Sequence, residues 1–141
     1  MFGGSGNDTL SGTVAMNGDN GNDSISVHQI RFELSLVPGE AHGNAGNDTI
    51  FGSAFSMALF GDDGDDELNG RYYWGGPTSG IMVGGDGNDQ IQYETHGDGT
   101  DRVRIYGGAG NDTLEGPWVR GDEGEDLLLG TKFNDTLLGR S

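Results

Sequence analysis

Seven aspartates occupy one position of a recurring loop. Asp8, Asp23, Asp48, Asp66, Asp89, Asp112 and Asp126 are each the sixth residue of a segment reading G-x-x-G-x-D-x-U-x, with U leucine or isoleucine. The copies are GGSGNDTLS from Gly3, GDNGNDSIS from Gly18, GNAGNDTIF from Gly43, GDDGDDELN from Gly61, GGDGNDQIQ from Gly84, GGAGNDTLE from Gly107 and GDEGEDLLL from Gly121. Glycines let the backbone take positive φ and point carbonyls at a common centre, and the aspartate supplies charge. Oxygen donors of this mixed kind suit calcium, which takes about six to eight of them in flexible geometry, better than magnesium with its strict octahedron. No nitrogen or sulfur ligand is placed to favour zinc, and cysteine is absent.

The charge balance agrees. The chain has 141 residues with 23 acidic and 7 basic side chains, a formal charge of −16. Of the acidic residues, 15 fall within the first six positions of the seven loops, and no basic residue does. Self-repulsion of that size opposes compaction unless cations neutralise it. Nucleic acid is disfavoured as a partner, because phosphate binding needs a basic stripe. Only 32% of residues are hydrophobic and 29 are glycine, so an ordinary two-layer core is out of reach. Bare acidity with low hydrophobicity also describes disordered tails. Strict order at positions six and eight rejects that reading here.

The elements that must carry the loops follow from their spacing. Successive copies start 15, 25, 18, 23, 23 and 14 residues apart, so a second, variable half-turn separates them. The eighth positions, Leu10, Ile25, Ile50, Leu68, Ile91, Leu114 and Leu128, predict a short strand after each aspartate. Two residues before the later loops stand Met16, Ala41, Leu59, Met82, Ile105 and Val119, the inward residues of a second strand of period two. Stacked rungs of this kind form two facing parallel sheets with a thin core, a solenoid in which no rung stands alone. Length predicts one domain, 1–141, and the start Met1-Phe2-Gly3-Gly4 reads as a piece excised from a longer protein.

The repeat resembles the hemolysin-type, or RTX, calcium-binding nonapeptide repeat. That resemblance implies an all-β, right-handed parallel β-roll, a type of parallel β-helix, with calcium loops mainly along one edge and variable insertions on the other. It implies an ion bridged between neighbouring loops, held by Asp8, Asp23, Asp48, Asp66, Asp89, Asp112 and Asp126 with carbonyls of Gly3, Gly18, Gly43, Gly61, Gly84, Gly107 and Gly121. Seven loops offer up to six such positions in one row, twelve positive charges against −16. It also implies a secreted, extracellular protein that leaves the cell unfolded through a type I channel and folds where calcium is abundant. On the second edge, HGDGTDRVR from His96 keeps Gly99, Asp101 and Val103, making Asp101 a weaker candidate ligand. GTKFNDTLL from Gly130 keeps Asp135 but has Phe133 where the loop needs glycine. One main row is predicted.

Other signals carry less. Asn-Asp-Thr/Ser triplets at Asn7, Asn22, Asn47, Asn111 and Asn134 match a glycosylation acceptor but are by-products of the loop. The Asp62–Asp66 cluster lacks the flanking helices and terminal glutamate of an EF-hand. His28, His42 and His96 share no ligand spacing, and His42 reads as merely exposed. No nucleophile, base and acid grouping has support, so the segment is not read as an enzyme. No run is long and apolar enough to span a membrane.

The outward positions of the second strand are more informative. Phe60, Val83, Tyr106 and Arg120, with Ala58, Ile81, Arg104 and Trp118 two residues earlier, form an apolar, aromatic and basic stripe. Such a face serves another protein domain, a second copy or a polysaccharide, unless the insertions at 29–42 and 71–80 fold across it. A carbohydrate-binding module, similar to the repeat modules attached to alginate epimerases, is the rival functional reading.

Overall fold

Each consensus loop turns the chain from one strand to the next in the same few residues, and the computed structural model shows what this builds. It describes residues 1–13, 15–28, 39–53, 56–71, 78–95 and 99–139. All regular structure in these residues is β. One parallel sheet has the order β1 (Phe2–Ser5), β3 (Met16–Asn20), β5 (Gly39–Ala45), β7 (Ser56–Asp63), β9 (Ser79–Asp86), β11 (Arg102–Ala109), β13 (Trp118–Glu123) and β15 (Thr136–Leu138). The facing sheet runs β2 (Thr9–Gly12), β4 (Ser24–His28), β6 (Thr49–Ser53), β8 (Glu67–Arg71), β10 (Gln90–Glu94), β12 (Thr113–Glu115) and β14 (Leu127–Leu129). The chain alternates between them, so the fold is the expected parallel β-roll.

Register follows the repeat. Leu10, Ile25, Ile50, Leu68, Ile91, Leu114 and Leu128 stand in one line across the second sheet. Met16, Ala41, Leu59, Met82, Ile105 and Val119 stand in the line opposite and are all buried. Alternation then puts every second side chain outside. Val27, Met57, Tyr93 and Val103 complete a core that is one layer from each sheet. On the final strands of the two sheets, β15 and β14, Leu127, Leu129, Leu137 and Leu138 are exposed, as are Met1 and Phe2 at the other end.

The two edges differ. From the first sheet to the second the turn always spans positions four to six of the loop, whereas the return connection varies in length. Most of the 29–42 and 71–80 insertions, including Tyr72, Tyr73 and Trp74, lies outside the described residues, and residues 39–42, 71, 79 and 80 belong to strands. Whether the insertions cover the outer face therefore falls outside them too.

Glycine at position four is demanded twice over. Its φ lies at +106° to +140° in all seven loops. At Gly87, φ +140°, a Cβ would overlap the Gly64 carbonyl oxygen and lie 2.5 Å from its carbon. We expect Gly87→Ala to destabilise the roll by about 3 kcal/mol or more, while Gly139→Ala, whose Cβ would meet nothing within 4 Å, leaves the melting temperature in calcium unchanged. Equal melting of the two variants would contradict this packing.

Candidate metal centre

The loops are tied to one another by ladders. The N–H of each sixth residue donates to Oδ1 of the next loop's aspartate: Asp8 to Asp23 at 2.8 Å, Asp23 to Asp48 at 2.6 Å, Asp48 to Asp66 at 2.8 Å, Asp66 to Asp89 at 2.9 Å, Asp89 to Asp112 at 2.9 Å and Asp112 to Asp126 at 3.1 Å. The six steps bring all seven predicted carboxylates into one continuous column. Position five adds a ladder that sequence reasoning missed. Each N–H there donates to the side-chain oxygen of the preceding loop, from Asn22 to Asn7 through to Glu125 to Asn111. Its signal was legible, since position five carries an oxygen-bearing side chain, usually Asn, in every copy.

What the ladders leave over is the decisive feature. Oδ2 of Asp8, Asp23, Asp48, Asp66, Asp89, Asp112 and Asp126 is buried without a hydrogen-bond partner. Asp23, Asp48, Asp66, Asp89 and Asp112 are only 1–3% exposed. Each Oδ2 is aimed at the position-one glycine of its own loop. A Cβ on Gly18 would overlap Asp23 Oδ2 and stand 2.7 Å from the Gly43 carbonyl oxygen, and the pattern recurs at Gly43, Gly61, Gly84 and Gly107. The role of this glycine thus differs from that expected of the loop as a whole. It does not take positive φ; it leaves room for a carboxylate oxygen and the next loop's carbonyl to converge.

Burying a carboxylate oxygen unpaired is costly, and a cation is the partner that removes the cost. Among the described residues no ion pair reaches any of the seven aspartates. Nor do three His, Cys, Asp or Glu side chains converge on one point there. A cation in this column must therefore take most of its oxygens from the backbone, as calcium readily does. The residues fit the ion.

Desolvation by burial pushes the carboxyls of Asp48 and Asp89 up to about 6 and that of Asp66 up to about 7, with neighbouring carboxylates adding to the rise and the backbone hydrogen bond opposing it. Asp112 is raised for the same reasons. A raised folded-state value favours the metal-free roll below the ordinary carboxylate range and is lost as pH climbs through about 6 to 7. In chelator, strand content should therefore be greater near pH 4 than at pH 7.5, measured by circular dichroism. A metal-free chain that gains strand as pH rises would contradict the desolvated column.

The second edge is built differently. Asp101 Oδ1 accepts the Thr78 N–H at 2.8 Å and Arg102 N–H donates to the Thr78 carbonyl at 2.8 Å, the same bonds as on the first edge. Thr78 thus stands where an aspartate would be, with its Oγ1 and the Tyr93 hydroxyl buried. Burial raises the Tyr93 hydroxyl and keeps it neutral. Pro117 holds the corresponding place one rung after Asp101, and Asp135 follows, its Oδ1 bound by Thr131 Oγ1 at 2.7 Å. Carboxylates are continuous on one edge alone among the described residues.

The outer stripe is also in place. Phe60, Val83, Tyr106 and Arg120 line up across β7, β9, β11 and β13, all half-buried, beside Trp118 and the exposed Arg104. His42 joins this line and is not merely exposed. Its ring stacks on Phe60 at 4.5 Å, and its nitrogens lie 3.1 Å from Asp62 and Glu40 carboxylate oxygens, because β5 and β7 bring His42 opposite Phe60.

A family model for the RTX calcium-binding nonapeptide repeat matches in four copies at residues 1–13, 42–71, 74–92, 97–116 and 120–141, most of the chain. The chain belongs to the RTX calcium-binding repeat family. No curated protein and no solved structure matches it significantly. The RTX loop Gly18–Asp23 lies outside the matched stretches, yet Asp23 occupies the same ladder and faces the same glycine cradle as its neighbours. Backbone geometry therefore extends the RTX column through a rung that the sequence match passes over.

Proposed function

We propose that this RTX roll is a calcium-dependent folding module of a secreted protein, serving as a scaffold or docking domain. The observation that carries the reading is the column of seven buried, unpartnered Oδ2 atoms. The ligands would be the seven position-six aspartates with carbonyls of Gly3, Gly18, Gly43, Gly61, Gly84, Gly107 and Gly121, giving up to six positions between successive loops. Bound calcium supplies the positive charge that these carboxylates otherwise lack. Without it, −16 of formal charge and the desolvation of the column oppose the roll, so the chain stays extended where calcium is scarce. Such a chain suits export in the unfolded state and folding outside the cell. Residues 1–141 act as one unit in this scheme, because every rung is bonded to the next from β1 to β15.

A calcium titration of the chelated chain, followed by circular dichroism, tests it. Strand signal should rise steeply with calcium and vanish on chelation. Equal strand content in both conditions at neutral pH would sink the proposal.

A further inference from the structure

We propose that Asn17–Gly18, Asn20–Gly21 and Asn69–Gly70 are deamidation sites that the folded roll keeps closed and the extended chain opens, an inference resting on the calcium-dependent folding above. These are the asparagine–glycine pairs of the chain. Glycine has no Cβ to hold its amide nitrogen away from the preceding side chain, so in a free chain that nitrogen reaches the asparagine Cγ. The nitrogen–Cγ bond forms, the Cγ–Nδ2 bond breaks, and Nδ2 leaves as ammonia with the proton that the glycine nitrogen gives up. Water then opens the cyclic imide at one of its two carbonyls. One opening yields aspartate, and the other yields isoaspartate, whose main chain runs through the former side chain and is one carbon longer.

The roll denies the nitrogen this approach. Position-four N–H groups form a ladder of their own: Gly21 donates to the Ala45 carbonyl and the Asn20 carbonyl accepts from Gly6, both at 2.8 Å, and the same bond recurs at Gly46, Gly64, Gly87 and Gly110. The Asn20–Gly21 peptide is thus held from both neighbouring rungs, although the Asn20 side chain is exposed. Gly21 is fixed at φ +129°, so close to the first loop that a Cβ would stand 2.3 Å from the Gly6 carbonyl oxygen. Asn17 lies in β3 between Phe2 and His42, its Oδ1 taken by Asn44 Nδ2 at 2.6 Å. Asn69 lies in β8 between Phe51 and Gln92, its Nδ2 on Glu67 at 2.8 Å. Turning either side chain onto the next nitrogen means twisting a strand that is paired on both sides. Nor does a longer backbone rejoin the stack. Isoaspartate at position 20 displaces the carbonyl that Gly6 needs and the N–H that Ala45 receives. At position 69 it disturbs Gly70, where Met57, Met82 and Tyr93 atoms already lie 2.8–2.9 Å from an added Cβ. Each rung depends on its neighbours, so one such lesion lowers the share of chains able to fold. The extended chain therefore carries a time limit between synthesis and calcium.

The test is peptide mapping by fragmentation mass spectrometry after warm incubation at pH 7.5 in calcium, in chelator, and in chelator with guanidinium chloride. The three pairs should convert to mixed aspartate and isoaspartate in the last two conditions and about tenfold or more slowly in calcium. Asn22, Asn47 and Asn111, each followed by aspartate, supply the slower background. Calcium returned to the aged, chelated chain should restore less strand signal in circular dichroism than it gives a fresh one. A triple variant, Asn17→His, Asn20→Ala and Asn69→Ser, should recover more, since His42, Ala45 and Ser26 hold the same registers in other rungs. Should that variant not fold, conversion and refolding of the parent chain still decide. Equal conversion in calcium and guanidinium, conversion of the asparagine–aspartate pairs as fast as the asparagine–glycine pairs, or undiminished refolding of a converted chain would each overturn the assignment. Strands that persist in chelator defeat the folding proposal alone, because protection by the roll is still read from calcium against guanidinium.

Discussion

Removing calcium at neutral pH should expand the chain from a radius of gyration of about 15 Å to nearly 40 Å, the values expected of a folded and an unfolded chain of this length. The size of the change follows from how little else holds the roll. Its core is a single layer from each sheet, and only 32% of the sequence is hydrophobic. Against it stand the conformational entropy of ordering some 141 residues and a formal charge of −16, with 15 acidic side chains packed along one edge. Each rung buries its apolar residues only against its neighbours, so losing the column removes support from all rungs together. Small-angle scattering in calcium and in chelator reads the difference directly. A radius that stays compact in chelator would show that the apolar layer suffices.

Asp66→Asn should act with opposite signs in the two conditions. Asp66 stands mid-column, raised to about 7 by burial and by the charges of Asp89, Asp48 and Asp62. Asparagine keeps an Oδ1 that accepts the Asp48 N–H, now 2.8 Å away, but replaces the orphaned Oδ2 with an amide. In calcium the adjoining positions on both sides lose a charged ligand, and the folding midpoint should move to at least about tenfold higher calcium with a shallower transition. In chelator at pH 7.5 the same change removes a buried charge, so the variant should keep more strand than the parent. Asp8→Asn, at the end of the column with one neighbouring loop, should shift the midpoint less. If Asp66→Asn destabilised the roll equally with and without calcium, the carboxylate's role would be confined to the ladder.

These variants also separate two roles that one residue carries. Every position-six aspartate from Asp23 to Asp126 uses Oδ1 to hold the preceding rung in register and leaves Oδ2 facing the glycine cradle. Position two shows the backbone side of the same economy. Asp19, Asn44, Asp62 and Asp122 adopt φ of 74–76° there, where the other loops have glycine. Asn and Asp tolerate the left-handed region better than other side-chain-bearing residues, which is why the consensus relaxes to them and to nothing larger.

How much was legible in the residues can be judged from particular rungs. Period two and the fixed offset of Asp and Leu/Ile within each loop determined the strands, their parallel stacking and the facing lines from Leu10 to Leu128 and from Met16 to Val119, because these are local relations that every copy repeats. The aspartate column followed from the same offset. Only the tertiary structure decided which lone pairs the ladders use, that Tyr93 and Thr78 occupy the second edge beside Asp101, and that His42 stacks on Phe60. It likewise decided that Arg104, Trp118 and Phe133 share one cavity. Those contacts join residues on different rungs, and the return connections between rungs vary in length, so no constant spacing announces them; stacking at a common strand register brings them together.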